Sequence, residues 1–443
     1  MKVIEKQHQF DAFIRNNKNS KCYIVPIFTD IYKHPLNNAL SLLYVHCDTD
    51  FLICFDHSET QSISTKNLAS LNEMTIYTHN KNELNHIYHW DNVIDVGMLY
   101  YLNTNNPLSF DDINTSAHTY FKQKYHRVNN VNKLIPVNKH LEYCIEIKDK
   151  MKRVLTVCDS TGTFLKYNDV VIDNLSFIES SGLKVNRDKL PFKYQRHISK
   201  DNFVFTRYNP YTLTGRPANK YGGLNFSAMN RSDGSREPFV SRFEDSGLLI
   251  EMDYDAYHLR LIADIVNYDF PDGSVHEYLG NQYGVDYEES KKLSFKYLYG
   301  GIPKDIATTI PFFGLVTEYV NSNWIKYNKR FSVKSYIYNR KIGKNNLQDM
   351  NPNKLFNYLI QLNETEYNME VISKLQKVLK GYETKLVLYQ YDSFLFDFCM
   401  RDGKEFLLKI KNTIEGSAKF PVKISRGINY NDMVNITEKL NVN

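Results

Sequence analysis

Two aspartates stand where the chain changes direction after an apolar run. The first closes Gly247-Leu248-Leu249-Ile250-Glu251-Met252-Asp253-Tyr254. Beyond it Tyr257, Leu261, Ile262 and Ile265 follow at helical spacing, so Asp253 falls where a buried strand gives way to a helix. The second lies in Lys385–Phe398, where two apolar runs flank Tyr391-Asp392-Ser393, the pattern of a β-hairpin with Asp392 at or beside its turn. Taken singly, either aspartate has a plainer use as a cap of a turn or strand end. Taken together they suit two-metal phosphoryl transfer. Two hard cations roughly 3.5–4 Å apart need carboxylate oxygens from rigid, converging elements. One ion activates an attacking hydroxyl, and the other holds a triphosphate and the departing pyrophosphate.

A third segment, Glu289–Gly301, carries Lys291, Phe295 and Tyr299 at i, i+4 and i+8, one face of a helix. A cation followed by two aromatics fits a nucleotide: lysine for phosphate, phenylalanine for sugar and base, tyrosine for a template base. The competing reading is an amphipathic helix whose rings pack in the core.

The elements that must position these residues belong to a chain of 443 residues, enough for two to four domains. Residues 1 to about 145 read as an α/β unit with strands at Cys22–Phe28, Leu40–His46, Phe51–Phe55 and Met74–Thr78, and a helix-like segment at Val93–Leu102. Three early strands, then strands alternating with helices, predict a mixed sheet. Tyr143–Val154 reads as a lysine-bearing helix, and Cys158–Asp169 carries turn signals. From Phe203 onward loops, apolar runs and amphipathic helices alternate. Net charge is +5 with a pI near 8.5, a weak pointer to an anionic partner. No apolar run of about twenty residues or signal-peptide core appears, which predicts no membrane partner. The six cysteines form no CxxC pair, so a cytoplasmic location is expected. The richness in Asn, Lys, Ile and Tyr suits AT-rich coding DNA, as in a phage. The 33 tyrosines are therefore not read wholesale as base-stacking platforms.

In this order the segments resemble a family-A DNA polymerase. Thr214-Gly215-Arg216-Pro217 resembles the family's TGR motif, with Arg216 toward the primer–template minor groove. Asn225 and Arg236 fall near its NLQN and IRxxF positions. Asp253–Arg260 resembles motif A, DYSQIELR, and Val275-His276 is similar to the IH dipeptide. Ser290-Lys291 through Tyr299-Gly300 resembles motif B, AKxxNFGxxYG. Tyr338-Asn339-Arg340-Lys341 resembles the GRRR turn. Asn357 and Gln361 match an NxxxQ helix that faces primer–template, and Tyr391-Asp392-Ser393 occupies the HDE position of motif C.

The resemblance implies a multidomain fold of the α/β and α+β classes. A ribonuclease-H-like, 3′–5′ exonuclease-type domain over 1–145 and a connector or reduced thumb over 146–202 precede a polymerase palm over 203–443, with fingers inserted at about 262–350. It implies a DNA-directed DNA polymerase whose Asp253 and Asp392 bind two Mg²⁺ ions, with Mn²⁺ as a substitute. Lys291 would hold the triphosphate, with Phe295, Tyr299, His258 and Arg340 around the nucleotide. Arg216, Asn225, Arg236, His276, Asn357 and Gln361 would lie along the primer–template. The partners are DNA, dNTPs and a processivity or replisome protein.

Departures from the family pattern qualify this. The motif A glutamate that screens the sugar 2′ position is His258, which leaves open a primase-like or RNA-synthesising enzyme. The helper glutamate of motif C is Ser393, and alternation along the strands is expected to point nearby Glu251 and Asp397 elsewhere. The motif B arginine one turn before Lys291 is Tyr287, which shifts triphosphate binding toward Lys291, with Lys292 or Arg340. Ser393 and Tyr287 together keep open an inactive subunit of a replication complex. Phe295 stands where the family's phenylalanine disfavours dideoxynucleotides. The exonuclease carboxylates reduce to Asp30, Glu83 and Asp95, with Tyr32 where the first motif has glutamate and no clear third motif near residues 130–150, so proofreading is expected to be weak or absent. Only about thirty residues separate Ile178–Asn186 from Arg216. A small or missing thumb would leave few cations for phosphate and predicts low processivity.

Overall fold

The computed structural model describes residues 2–30, 33–110, 131–158, 163–219, 223–343, 347, 349–416 and 419–441. By contacts the chain divides into two compact units. The first comprises 1–182 with 191–211 and 219–224, and the second 183–190, 212–218 and 225–443.

The first unit is built on a six-stranded mixed sheet. Its strands are β1 (Lys2–Ile4), β2 (Lys21–Phe28), β3 (Leu40–His46), β4 (Asp50–Cys54), β5 (Thr75–Thr78) and β6 (Val93–Asp95), in the order β1-β4-β3-β2-β5-β6. β2, β3 and β4 run antiparallel, while β5 and β6 join parallel to β2. Alternation along β3 divides the core. Leu43 and Val45 pack with Phe10 and Phe13 of helix α1 (Gln7–Asn17). Leu42 and Tyr44 pack on the other face with Cys144, Ile147, Met151 and Val154 of α2 (Val137–Val157).

The expected strands appear within a residue or so of their bounds. The segment Val93–Leu102 is not one helix: Val93–Asp95 is strand, and helix runs from Val96 to Thr104, with the Asp95 side chain accepting from the Met98 N–H as its cap. Of the turn-rich stretch Cys158–Asp169, residues 159–162 lie outside the described residues. From Thr163 the chain is helical to Ser181, because Tyr167, Val171, Ile172, Leu175 and Ile178 bury one stripe. Residues 146–182 group by contacts with the first unit. Tyr32 and residues 111–130 lie outside the described residues.

The second unit centres on a five-stranded antiparallel sheet. Its strands are β7 (Gly247–Tyr254), β8 (Lys385–Gln390), β9 (Ser393–Cys399), β10 (Val422–Gly427) and β11 (Val434–Asn435), in the order β8-β9-β7-β10-β11. β7 is central and nearly all buried, as its apolar run requires. Around it lie α3 (Tyr257–Ile265), α4 (Val275–Tyr283), α5 (Tyr287–Gly300), α6 (Pro311–Arg330), α7 (Pro352–Leu379) and α8 (Gly403–Glu415). No helix among the described residues is long and apolar enough to cross a membrane.

Candidate active site

Strand register brings the two aspartates together. Asp253 pairs with Ser393 on one side, and the Tyr254 N–H donates to the Asp392 carbonyl at 3.0 Å. Asp392 occupies the two-residue turn between Gln390 and Ser393, as the hairpin reading expects. Both aspartates line one recess together with His258, His276, Lys291 and Phe295. The helix face is real: the Phe295 and Tyr299 rings stack in parallel, with centroids 5.9 Å apart. Tyr299 reaches the site through a hydrogen bond to His258 Nδ1.

Electrostatics at the pair favour a cation. Burial, then the neighbouring charges of Asp392 and Glu251, push the Asp253 carboxyl up to about 7, while Lys423 and Lys291 work the other way. Asp392 is also raised, by burial and then Glu364. Two half-buried carboxylates whose ionisation is disfavoured by burial and neighbouring acidic groups form a hard-oxygen donor set that a divalent cation fits.

The expected direction of Glu251 needs correction. It is two residues from Asp253, so alternation sets it on the same strand face, and it lines the groove with Asp253, Asp392 and Arg236. Its carboxylate is held by Arg231 and by the Tyr430 hydroxyl at 3.2 Å. Asp397 does lie elsewhere, bound by Ser241 Oγ at 2.6 Å and Arg242 Nε at 2.7 Å.

Arg340 is not in this cluster. It is 3 % exposed, donates to the Leu213 carbonyl at 3.2 Å and sits beside Glu366, so it serves packing. Lys292 is exposed and paired with Glu289. His276 is buried beside Phe295 and Tyr287 in the recess, although sequence grouped it with DNA contacts. Asn225 is exposed and accepts from the Ser227 hydroxyl. Arg236 lies over the Tyr430 ring at 4.6 Å. Arg216 stacks on Tyr391 at 3.7 Å, which seats it beside Asp392. Gln361 accepts from the Thr214 hydroxyl at 3.3 Å, and Asn357 reaches the Tyr299 carbonyl at 3.5 Å.

Three residues escaped the sequence reading. Glu364, wholly buried, faces Arg216 Nε at 3.2 Å and His258 Nε2 at 3.3 Å. Asn368 donates to the Tyr391 carbonyl at 2.6 Å and accepts from the Tyr257 hydroxyl at 2.8 Å. The signal was present: 357, 361, 364 and 368 recur on one helix face. Lys423 on β10 pairs across the sheet with Asp253. Nothing local in the sequence announces that strand partner.

The architecture has a counterpart among solved structures. The POL domain of Pol1 from M. smegmatis, in complex with DNA primer-template and dNTP, superposes with a TM-score of 0.71. This chain has a polymerase-domain fold. The match spans 98 % of the chain and 100 % of that structure at 13 % identity, so the likeness is one of fold. No known family's sequence model matches the chain, and neither does any curated protein.

The exonuclease candidates in the first unit hold structure. Asp95 is fully buried and also accepts from the Lys81 N–H at 2.7 Å. Glu83 pairs with Arg207 at 3.1 Å, and buried Asp30 accompanies Lys33 at 3.9 Å. Among the described residues these three form no converging group. The one such group is His34, His86 and Glu179. Its geometry is that of a hydrogen-bond hub. His34 Nδ1 accepts from the Leu36 N–H at 3.2 Å, so Nε2 carries the proton toward Glu179 and offers no lone pair to a metal. Glu179 already accepts from the Tyr208 N–H at 2.6 Å, Asn82 at 3.0 Å and His86 at 2.9 Å.

Proposed function

We propose that the chain is a template-directed DNA polymerase that adds deoxynucleotides to a primer 3′-hydroxyl. The observation that carries this is the meeting of Asp253, at the end of a central strand, and Asp392, in the turn of the adjacent hairpin, in one recess with the Lys291–Phe295 helix face. The polymerase-domain fold, shared with a structure bound to primer-template and dNTP, supports it. Asp253 and Asp392 would hold two Mg²⁺ ions, with Mn²⁺ as a substitute. When bound, these supply positive charge that activates the hydroxyl and neutralises the departing pyrophosphate. Lys291 binds the triphosphate and is placed to donate a proton to pyrophosphate. Phe295 and Tyr299 stack along the nucleotide, and His258 stands by the sugar. Arg216, Asn357 and Gln361 face primer–template, with Arg236 along the groove.

The first unit reads best as a ribonuclease-H-like, exonuclease-type domain. Three antiparallel strands followed by two parallel ones support that topology. The structural duties of Asp95 and Glu83 support weak or absent proofreading. With a reduced thumb, processivity is low unless a partner protein adds grip.

Primer extension with Mg²⁺ and four dNTPs tests the reading. Wild type extends, while Asp253→Ala and Asp392→Ala each lose on the order of 10³-fold or more, still binding primer–template. A folded wild type that extends nothing would instead favour the inactive-subunit reading. His258 favours one rival, an RNA-synthesising enzyme, and equal or better use of rNTPs on the same template would select it.

A further inference from the structure

Lys423 lines the same recess as Lys291 but comes from a strand rather than the helix. On β10 it is the cross-strand neighbour of Asp253. Its ammonium pairs with Asp255 at 2.6 Å and donates to the Tyr287 hydroxyl at 3.3 Å. It lines the recess that holds Lys291 and Phe295, and also the groove that holds Asp253 and Asp392. Asp255 is shared, because Arg260 approaches it at 3.5 Å. The Asp255, Lys423 and Arg260 cluster thus keeps one net positive charge, and Asp255 retains a partner when Lys423 turns inward. The side chain is 46 % exposed. The recess therefore presents one cation from a helix and one from a strand, and both aspartates line it.

We propose that Lys423 is a second phosphate-binding cation, whose ammonium, together with Lys291, contacts the triphosphate of the incoming nucleotide and then the pyrophosphate product. This rests on the polymerase reading. A charge-assisted hydrogen bond to phosphate makes the contribution a large one.

The test compares wild type with Lys423→Met, Lys423→Arg and Lys419→Met. Lys419 is a nearby lysine paired with Asp264, outside the recess. Two quantities are read: KM for dNTP in primer extension, and the affinity for inorganic pyrophosphate with Mg²⁺ by calorimetry. Lys423→Met is expected to raise KM and weaken pyrophosphate binding about 10- to 100-fold, with primer–template affinity unchanged. Lys423→Arg recovers most of the loss, and Lys419→Met changes neither quantity. The proposal is overturned if Lys423→Met lowers kcat or alters the Mg²⁺ requirement at constant KM and constant pyrophosphate affinity, since Lys423 then acts only on Asp253. Equal losses from Lys419→Met also overturn it. If wild type extends no primer, the polymerase reading falls, and the pyrophosphate titration still decides Lys423: weaker binding by Lys423→Met upholds the phosphate site, and equal binding removes it.

Discussion

His258 holds the Tyr299 phenol with one ring nitrogen and faces buried Glu364 with the other. Glu364 in turn braces Arg216, whose guanidinium covers Tyr391. His258 and Arg216 are thus linked through one carboxylate. The imidazole fills space beside the Tyr299 ring. Its bulk is what would meet a ribose 2′-hydroxyl. His258→Ala is therefore expected to lower the dATP-over-ATP ratio of kcat/KM on the order of tenfold, within the range that a modest change of pocket volume produces. An unchanged ratio in single-nucleotide incorporation would remove His258 from sugar selection.

The hairpin that carries Asp392 has a two-residue turn, and its first residue, Tyr391, has φ 61°. A left-handed tyrosine costs roughly 1–2 kcal/mol, so the surroundings must hold it. Arg216 stacks on the ring, and Asn368 grips the carbonyl. Ala256, at φ 52°, makes a similar bend where β7 passes into α3 just after Asp253. Positive φ angles close to both aspartates thus shape the bends that carry them into one recess. Tyr391→Gly relaxes the backbone but releases Arg216. The expected result is an unfolding free energy, from urea denaturation, within about 1 kcal/mol of wild type and primer extension reduced on the order of tenfold. A loss of stability that matches the loss of activity would show the ring to be packing alone.

Each unit has its own core, and acid should act on the first through its histidines. His140 is buried on α2, with Nε2 on the Asn132 carbonyl at 2.8 Å. Burial, and the nearby His57, lower its pKa to about 4. The folded state therefore binds fewer protons than the unfolded state, whose histidine titrates near 6.5. The associated stability is fully present above about pH 6.5 and is lost as the pH falls toward 4. At pH 5 the loss is about 2 kcal/mol, from 1.36 kcal/mol per pH unit. Urea unfolding of the whole chain at pH 7 and pH 5, with hydrogen exchange along Val137–Val157, checks this. His140→Gln should shrink the difference between the two pH values by about that amount, and an undiminished difference would refute the assignment.

Local pattern was enough to reveal the chemistry-bearing elements. An apolar run that ends in Asp253, two runs about Asp392 and a lysine–aromatic helix face are each periodic over a few residues, and alternation or a 3.6-residue repeat reports them directly. The mixed sheet of the first unit was legible for the same reason. Strand partnership was not, because register is set by pairing between segments more than a hundred residues apart. That pairing put Lys423 beside Asp253, and tertiary packing against Leu213 and Glu366 confined Arg340 to the core. Glu251 was expected to point away, although its spacing of two from Asp253 sets it on the same face, where Arg231 and Tyr430 hold it. Asp95 and Glu83 read as possible exonuclease carboxylates until packing made them a helix cap and an ion-pair partner. Residue type and spacing thus determined which groups were available for catalysis, while long-range pairing and burial decided which of them share a cavity.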